Sequence, residues 1–300
     1  MTEPRISIIT PCLNRAATIA RAVESVRAQG YPETEHILID GGSSDGTLPI
    51  LAQYPHLRVT SGPDSGMYDA LNKGLALARG QIIGFLNSDD FYGETIFQAV
   101  AYAFRDPQTQ AVTGAALVSG QSASGETISG ERFQPQNADL LQLAATGNPF
   151  FNAWFFRRAV FEQIGRFDAS LHIAADREFM LRFALSRPRY AVISPMVYHY
   201  QQHAGSLTFD LTDAKFQRIA AEHITITSRF LSQKDLPAPA RALICDLRSR
   251  DTAKMFAISL KSGNLPRAAR CAAAGLQFDP AWAFKLIKKV AGYVLTRNAE

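Results

Sequence analysis

Cysteine is scarce in this 300-residue chain: Cys12, Cys245 and Cys271 are an odd number, far apart and without a CxxC pair. That excludes a disulfide-built scaffold and a cysteine-rich zinc cluster, and a reducing cytoplasm is the expected compartment. Long apolar runs are missing too. No stretch approaches the roughly 20 apolar residues that span a bilayer, and the N-terminus MTEPRISIITPCLN lacks the basic segment, apolar run and cleavage site of a signal peptide. A P-loop of the form GxxxxGK[ST] is absent, which excludes that class of NTPase as far as a motif does. The first loop, TPCLNRAAT, has no glycine, whereas a nucleotidyltransferase would want a Gly-rich loop bearing Arg and Lys there.

What is present is the composition of a folded protein, 47% hydrophobic and 19% charged. The net charge of +4 is unevenly placed. Residues 1–200 carry 16 basic and 19 acidic side chains, while residues 201–300 carry 15 and 8. A basic C-terminal third is what a phosphate, anionic lipid or acidic partner would attract, and also what a solvated helical surface looks like. Nucleic acid is not among the expected partners.

The periodicity reads as alternating strands and helices. RISIIT (5–10) is a β-branched run stopped by Pro11, and residues 17–28 follow at helical spacing through Ile19, Val23 and Val26. HILID (36–40), 57–61 and IIGFL (82–86) read as further strands, with helices over 47–53 and 67–78. This order predicts an α/β fold with a mostly parallel sheet flanked by helices. In such sheets ligands sit at the carboxyl ends of the strands. That is where Thr10-Pro11, Asp40-Gly41-Gly42 and Asn87-Ser88-Asp89-Asp90 fall. Beyond residue 110 the strands become looser, 119–130 reads as a loop or hairpin, and a helix over 173–185 carries Asp176 and Glu178 near its start. From about Asp213 the chain reads as helices, with one hairpin over 253–280 turning at Gly263-Asn264.

Adjacent carboxylates such as Asp89 and Asp90 repel each other, which is poor for stability but suits a hard divalent cation shared with phosphates. The alternative is a helix-capping acid with a solvated neighbour. Asp40 opens DGGSSDGT, whose glycines let the backbone approach a ligand or simply make a strand-to-helix turn. The same run contains a formal GxSxG nucleophile pattern at 42–46, but no particular His is singled out as its triad partner.

Four ordered pieces, SIITPCLNRAATIARAVESVRAQ, ILIDGGSSDGT, PDSGMYDALNKGLALARGQIIGFLNSDD and FRRAVFEQIGRFDASLHIAADREFMLR, together resemble the family 2 glycosyltransferases. The resemblance implies a GT-A fold and an inverting, metal-dependent transfer of sugar from a nucleotide-sugar, UDP foremost, to an acceptor hydroxyl. It divides the chain into a transferase domain over 1–210, with a nucleotide-binding half to 110 and an acceptor half beyond it, and a helical region over 211–300. It places Thr10, Pro11, Asn14 and Asp40 around the nucleoside, with Asp40 accepting from the base N–H and Gly42 in the same turn. Asp64, Gly66, Tyr68 and Asp69, continued by Asn72 and Lys73, would close the donor pocket. The family's DxD falls on Asn87-Ser88-Asp89, so the first acid is an amide here and Asp89 is the implied ligand of Mn2+ or Mg2+. Asp176 occupies the position of the catalytic base, and Ala175 replaces the Glu many relatives have before it. YHYQQHAGSLT resembles a closing loop, which would bring His203 and Ser206 to the diphosphate and metal. Asn148, Trp154 and Asp90 are implied on the acceptor side.

Cell-surface polysaccharide or glycan synthesis is the family-level role, with a glycan or lipid-linked glycan as acceptor. Residues 280–297 set Trp282, Leu286, Val290 and Val294 beside Lys285, Lys288 and Lys289. Such a basic amphipathic helix fits a membrane surface, a dimer interface or the catalytic domain itself. The competing readings are a nucleotidyltransferase and a non-catalytic nucleotide-sugar binder; the binder would most simply lack a base such as Asp176.

Overall fold

The computed structural model describes residues 3–121, 127–133, 135, 139–202, 212–278 and 282–283. His203, Ser206 and nearly all of the basic segment 280–297 lie outside them. The chain forms two compact units, Met1–Leu140 with Asn148–Asp210, and Leu141–Gly147 with Leu211–Glu300.

The first unit is built on a nine-stranded sheet. Strands β1 (Ile6–Cys12), β2 (Thr34–Asp40), β3 (Leu57–Ser61) and β4 (Ile82–Phe85) are parallel in the order β3-β2-β1-β4. Beyond β4 the sheet is mixed. β8 (Trp154–Arg157) runs antiparallel to β4 and to β6 (Ala111–Gln121), while β6 lies parallel to the long β9 (Tyr190–Gln202). The two-residue β5 (Phe91–Tyr92) and β7 (Thr127–Phe133) pair antiparallel with β9 and β6. Of the loop-or-hairpin expected at 119–130, the described ends are paired antiparallel strands, and Tyr198–Gln202, expected in a closing loop, are strand.

All seven residues of β1 are buried, because helices cover both faces of the sheet. Ile19 and Val23 of α1 (Ile19–Arg27) pack with Cys12, Leu38 and Leu51 on one side. α3 (Met67–Leu77) lies against β1 and β2, so close that a Cβ on Gly74 would sit 2.3 Å from Ile9 Cγ2. Only glycine permits that approach. The mixed half encloses an aromatic core in which Phe85, Phe151, Phe156, Phe161, Phe167 and Phe179 meet edge to face, stacked or tilted. β8 (WFFR), after a 3₁₀ turn at Phe151–Ala153, shows no alternation because it is enclosed on both faces.

In the second unit, α8 (Asp213–Leu231), α9 (Ala238–Lys261) and α10 (Leu265–Phe278) pack around Phe216, Ala220, Met255, Ile258 and Cys271. The turn between α9 and α10 falls at Gly263, whose φ of 70° suits glycine. A buried His223 Nδ1–Asp251 Oδ2 contact of 2.6 Å joins α8 to α9. No helix among the described residues is long and apolar enough to cross a membrane.

A pH dependence follows from β2. His36 is buried with its Nε2 2.9 Å from Thr10 Oγ1. Burial first, and the charge of His56 second, lower its pKa from 6.5 to about 3. The folded state therefore holds this imidazole neutral while the unfolded chain protonates below about 6.5. Stability from this group is present above 6.5 and is lost as pH falls toward 3, at up to about 1.4 kcal/mol per pH unit. Denaturant midpoints at pH 7, 5.5 and 4 are expected to fall more steeply for wild type than for His36→Gln.

Candidate active site

The loops after β1 and β2 are laced together at the carboxyl edge of the sheet. Asn14 N–H donates to Ser43 Oγ (2.8 Å), Ser44 N–H to Asn14 Oδ1 (2.9 Å), Arg15 N–H to Thr47 Oγ1 (2.8 Å) and Ala16 N–H to Asp45 Oδ2 (3.0 Å). Asn14 sits at φ 53° to do so, a conformation asparagine tolerates better than most residues. Asp40 is fully buried beneath this lacing. It accepts from Gly42 N–H (3.0 Å), from the Ser43 amide (3.0 Å) and hydroxyl, and from Ser61 Oγ (2.6 Å). Burial alone would raise its pKa, but these donors outweigh burial and hold the carboxyl below its ordinary value.

After β4 the run Asn87-Ser88-Asp89-Asp90 turns so that its two acids part. Asp90, 4% exposed, accepts from Gln201 N–H (2.8 Å), the Tyr198 hydroxyl (2.9 Å) and Asn87 Nδ2 (3.0 Å). Burial, then the charge of Asp89, pushes its carboxyl up to about 7 against those hydrogen bonds. Asp89 remains partly exposed, with Oδ2 3.9 Å from Arg15 Nε. Arg15 thus brings a cation from the β1 loop to the DxD carboxylate while Nη1 donates to the carbonyls of Leu13 and Asn14.

The third part is the start of α7 (Ala175–Leu185). Glu178 is occupied by a two-pronged bond to Arg182 (2.8 and 2.7 Å). Asp176, two residues earlier and half-buried, accepts from Arg177 N–H at 2.7 Å. Burial most, then the charges of Asp90 and, further down, Asp176, push the Tyr200 phenol well above its ordinary pKa. A Cβ on Gly66 would lie 3.7 Å from His172 Nδ1, so the segment that leads into α7 passes beside the start of α3. α3 holds that segment in place: Tyr68 OH donates to Ile173 O (2.9 Å), and the Asn72 amide bonds Phe167 O (2.9 Å) and Phe167 N (3.2 Å).

Burial describes several of the residues expected at the ligand. Thr10 is fully buried with its hydroxyl on His36, and the Asp40 carboxylate accepts from its own turn. Tyr68 (2% exposed) and Asn72 are braces for the α7 segment. Asp69 and Lys73 pair with each other at 3.1 Å, Asp69 also accepting from Ser65 N–H and Lys73 donating to Pro63 O. Ser88 is buried, and Asn87 turns its amide onto Asp90. Asp90 anchors β9, and Trp154 lies in the core at 1% exposure, donating to Pro149 O (2.8 Å). Asn148 is exposed and caps its own turn through Phe150 N–H (3.1 Å). Pro11 is buried in β1, Gly42 is exposed, and Asp64 and Gly66 flank the start of α3, with Gly66 N–H on Asp64 Oδ1 (3.0 Å). Arg15, Tyr198, Tyr200 and Gln201 were not singled out in the sequence. A cation directly after Asn14 was the available signal for the first of them.

The donor set bears on a metal. No group of three or more His, Cys, Asp or Glu side chains suited to hold one occurs among the described residues. Of this run's two acids, Asp89 keeps a partly exposed carboxylate while Asp90 is buried. Such a site fits a hard cation held by one carboxylate and a substrate's phosphates rather than by a preformed protein cage.

A doubly covered α/β sheet with an acidic turn after β4 and a carboxylate at a helix start is the arrangement of the GT-A fold. The model of "Glycosyl transferase family 2" matches residues 7–165, and the chain belongs to that family of glycosyltransferases. An uncharacterized glycosyltransferase of Mycobacterium tuberculosis is 35% identical over 193 residues, 61% of this chain and 70% of its own length. A PGL/p-HBAD biosynthesis glycosyltransferase of Mycobacterium bovis is 30% identical over 227 residues, 72% of this chain and 84% of its own. Among solved structures, S. aureus TarS 1-349 in complex with UDP superposes with a TM-score of 0.66 at 18% identity, over 94% of this chain and 83% of that one. This chain spans 49% of a longer TarS chain. The mannosyltransferase PcManGT from Pyrobaculum calidifontis, with GDP-Man and Mn2+, gives 0.55 at 20% identity, over 98% of this chain and 87% of that one.

Proposed function

We propose that this glycosyltransferase moves a sugar from a UDP-sugar to an acceptor hydroxyl in the cytoplasm, with inversion at the anomeric carbon. The observation that carries the reading is the convergence of the laced β1 and β2 loops, Asp89 with Arg15, and Asp176 at one sheet edge. The UDP complexes of a structure of the same fold support the nucleotide. A relative named for PGL/p-HBAD biosynthesis supports a lipid-linked or cell-surface glycan acceptor.

Asp176 takes the proton of the acceptor hydroxyl as its oxygen bonds to the anomeric carbon. The bond from that carbon to the β-phosphate oxygen breaks with its electron pair on the oxygen, and UDP leaves. Asp89 would hold the divalent cation, whose chemistry is to neutralise charge developing on the diphosphate. Arg15 adds a fixed positive charge on the same side, so neutralisation of the diphosphate does not rest on the cation alone. Asp90, Tyr198 and Gln201 keep the turn that carries Asp89 in place.

Incubating the protein with a panel of UDP-sugars, Mn2+ and lipid-linked glycan acceptors is the direct test. UDP release dependent on one donor, with a product of opposite anomeric configuration by proton NMR, is expected. Retained configuration would contradict the single-displacement mechanism.

A further inference from the structure

Two carboxylates stand at the strand ends where the nucleoside would lie, and only one of them is accessible. Asp40 is sealed by four donors of its own chain. Gly41 follows it, its N–H bonded to Cys12 O (2.9 Å) at the seam between β1 and β2. Its backbone is not left-handed, so the turn itself does not require glycine there. A Cβ at Gly41 would instead meet Asp64 Oδ2 at 2.8 Å and Asp64 Cγ at 3.3 Å. The loop after β3 thus lays a carboxylate in the space that a side chain at 41 would fill. Asp64 is partly exposed. Its Oδ1 accepts from Gly66 N–H, and among the described residues no hydrogen bond reaches Oδ2.

We infer that Asp64, admitted by the missing side chain of Gly41, reads the base of the donor by accepting its ring N–H on Oδ2. The inference rests on the UDP-sugar reading and assigns the specificity of that site to a residue other than the strand-end Asp40. A carboxylate is an acceptor only. Uracil presents N3–H, a donor, whereas cytosine presents a lone pair at the same position, so two acceptors would face each other. A site built around a hydrogen bond rejects the analogue that leaves its polar group unpaired. Gly41 serves this selectivity by leaving room, and alanine there keeps the backbone while its methyl displaces the carboxylate.

The test is calorimetric titration with UDP, CDP and 3-methyl-UDP, in which the N3–H is replaced, on wild type, Asp64→Asn and Gly41→Ala, each checked for wild-type circular dichroism. Wild type is expected to bind UDP about 10-fold or more tightly than either analogue, as befits a hydrogen bond to a charged group. Asp64→Asn keeps an oxygen for Gly66 N–H and turns an amide to the base, so UDP weakens and the preference over CDP disappears or reverses. Gly41→Ala, with Asp64 intact, loses the discrimination between UDP and 3-methyl-UDP. Folded variants that both keep that discrimination would overturn the inference, as would a wild type that binds UDP and 3-methyl-UDP equally. A wild type that binds no uridine nucleotide at all would instead overturn the UDP-sugar reading beneath it.

Discussion

Asp176→Asn is expected to lower kcat for transfer by about 10²- to 10⁴-fold, the range for loss of a general base, with UDP affinity unchanged. The substitution is nearly isosteric. The Asn oxygen still accepts from Arg177 N–H, and the brace between Glu178 and Arg182 does not involve this residue. The helix should stay intact while the proton acceptor is lost. A kcat within 10-fold of wild type would move the base elsewhere.

Asp89→Ala is expected to cost about 10²- to 10³-fold in kcat, the scale of removing one group that stabilises transition-state charge, and to abolish the effect of Mn2+ on UDP affinity. Asp89 is the partly exposed member of the acidic turn, so its loss leaves the Asp90 anchors to Tyr198, Gln201 and Asn87 in place. Arg15 would then lack its carboxylate neighbour at 3.9 Å and still attract the diphosphate. Residual nucleotide binding without metal dependence is therefore the expected outcome for this variant. Unchanged metal dependence would place the cation on other ligands.

The parallel half of the sheet was legible because β1, β2 and β4 are short β-branched runs, each stopped by turn residues and followed by a helical period. The position of the site was legible for the same reason, since Asp40, Asn87 and Asp89 all close strands. Which of these side chains face the cleft was not legible. Asp40 and Asp90 look like ligands in a motif, yet burial and full hydrogen bonding make them supports for Ser43 and for Tyr198 and Gln201. Tyr68 and Asn72 lie in a motif that resembles a donor-pocket wall, but their partners are backbone groups about 100 residues away, at Ile173 and Phe167. Trp154 carried the right chemistry for a sugar and the wrong direction: β8 is enclosed on both faces, so its side chains show no periodicity to mark a cleft side. Arg15 escaped notice because its significance depends on Asp89 folding back to it from 74 positions along the chain.

The measurement that bears most directly on a donor site at this sheet edge is calorimetric titration of the wild-type chain with UDP, GDP and dTDP, each with and without Mn2+. UDP is expected to bind, and Mn2+ to tighten it by about 10-fold or more, since the cation is shared between Asp89 and the phosphates. Mn2+ alone should bind weakly, because a single carboxylate is offered to it. A folded chain that bound none of the three nucleotides in the presence of Mn2+ would contradict the account.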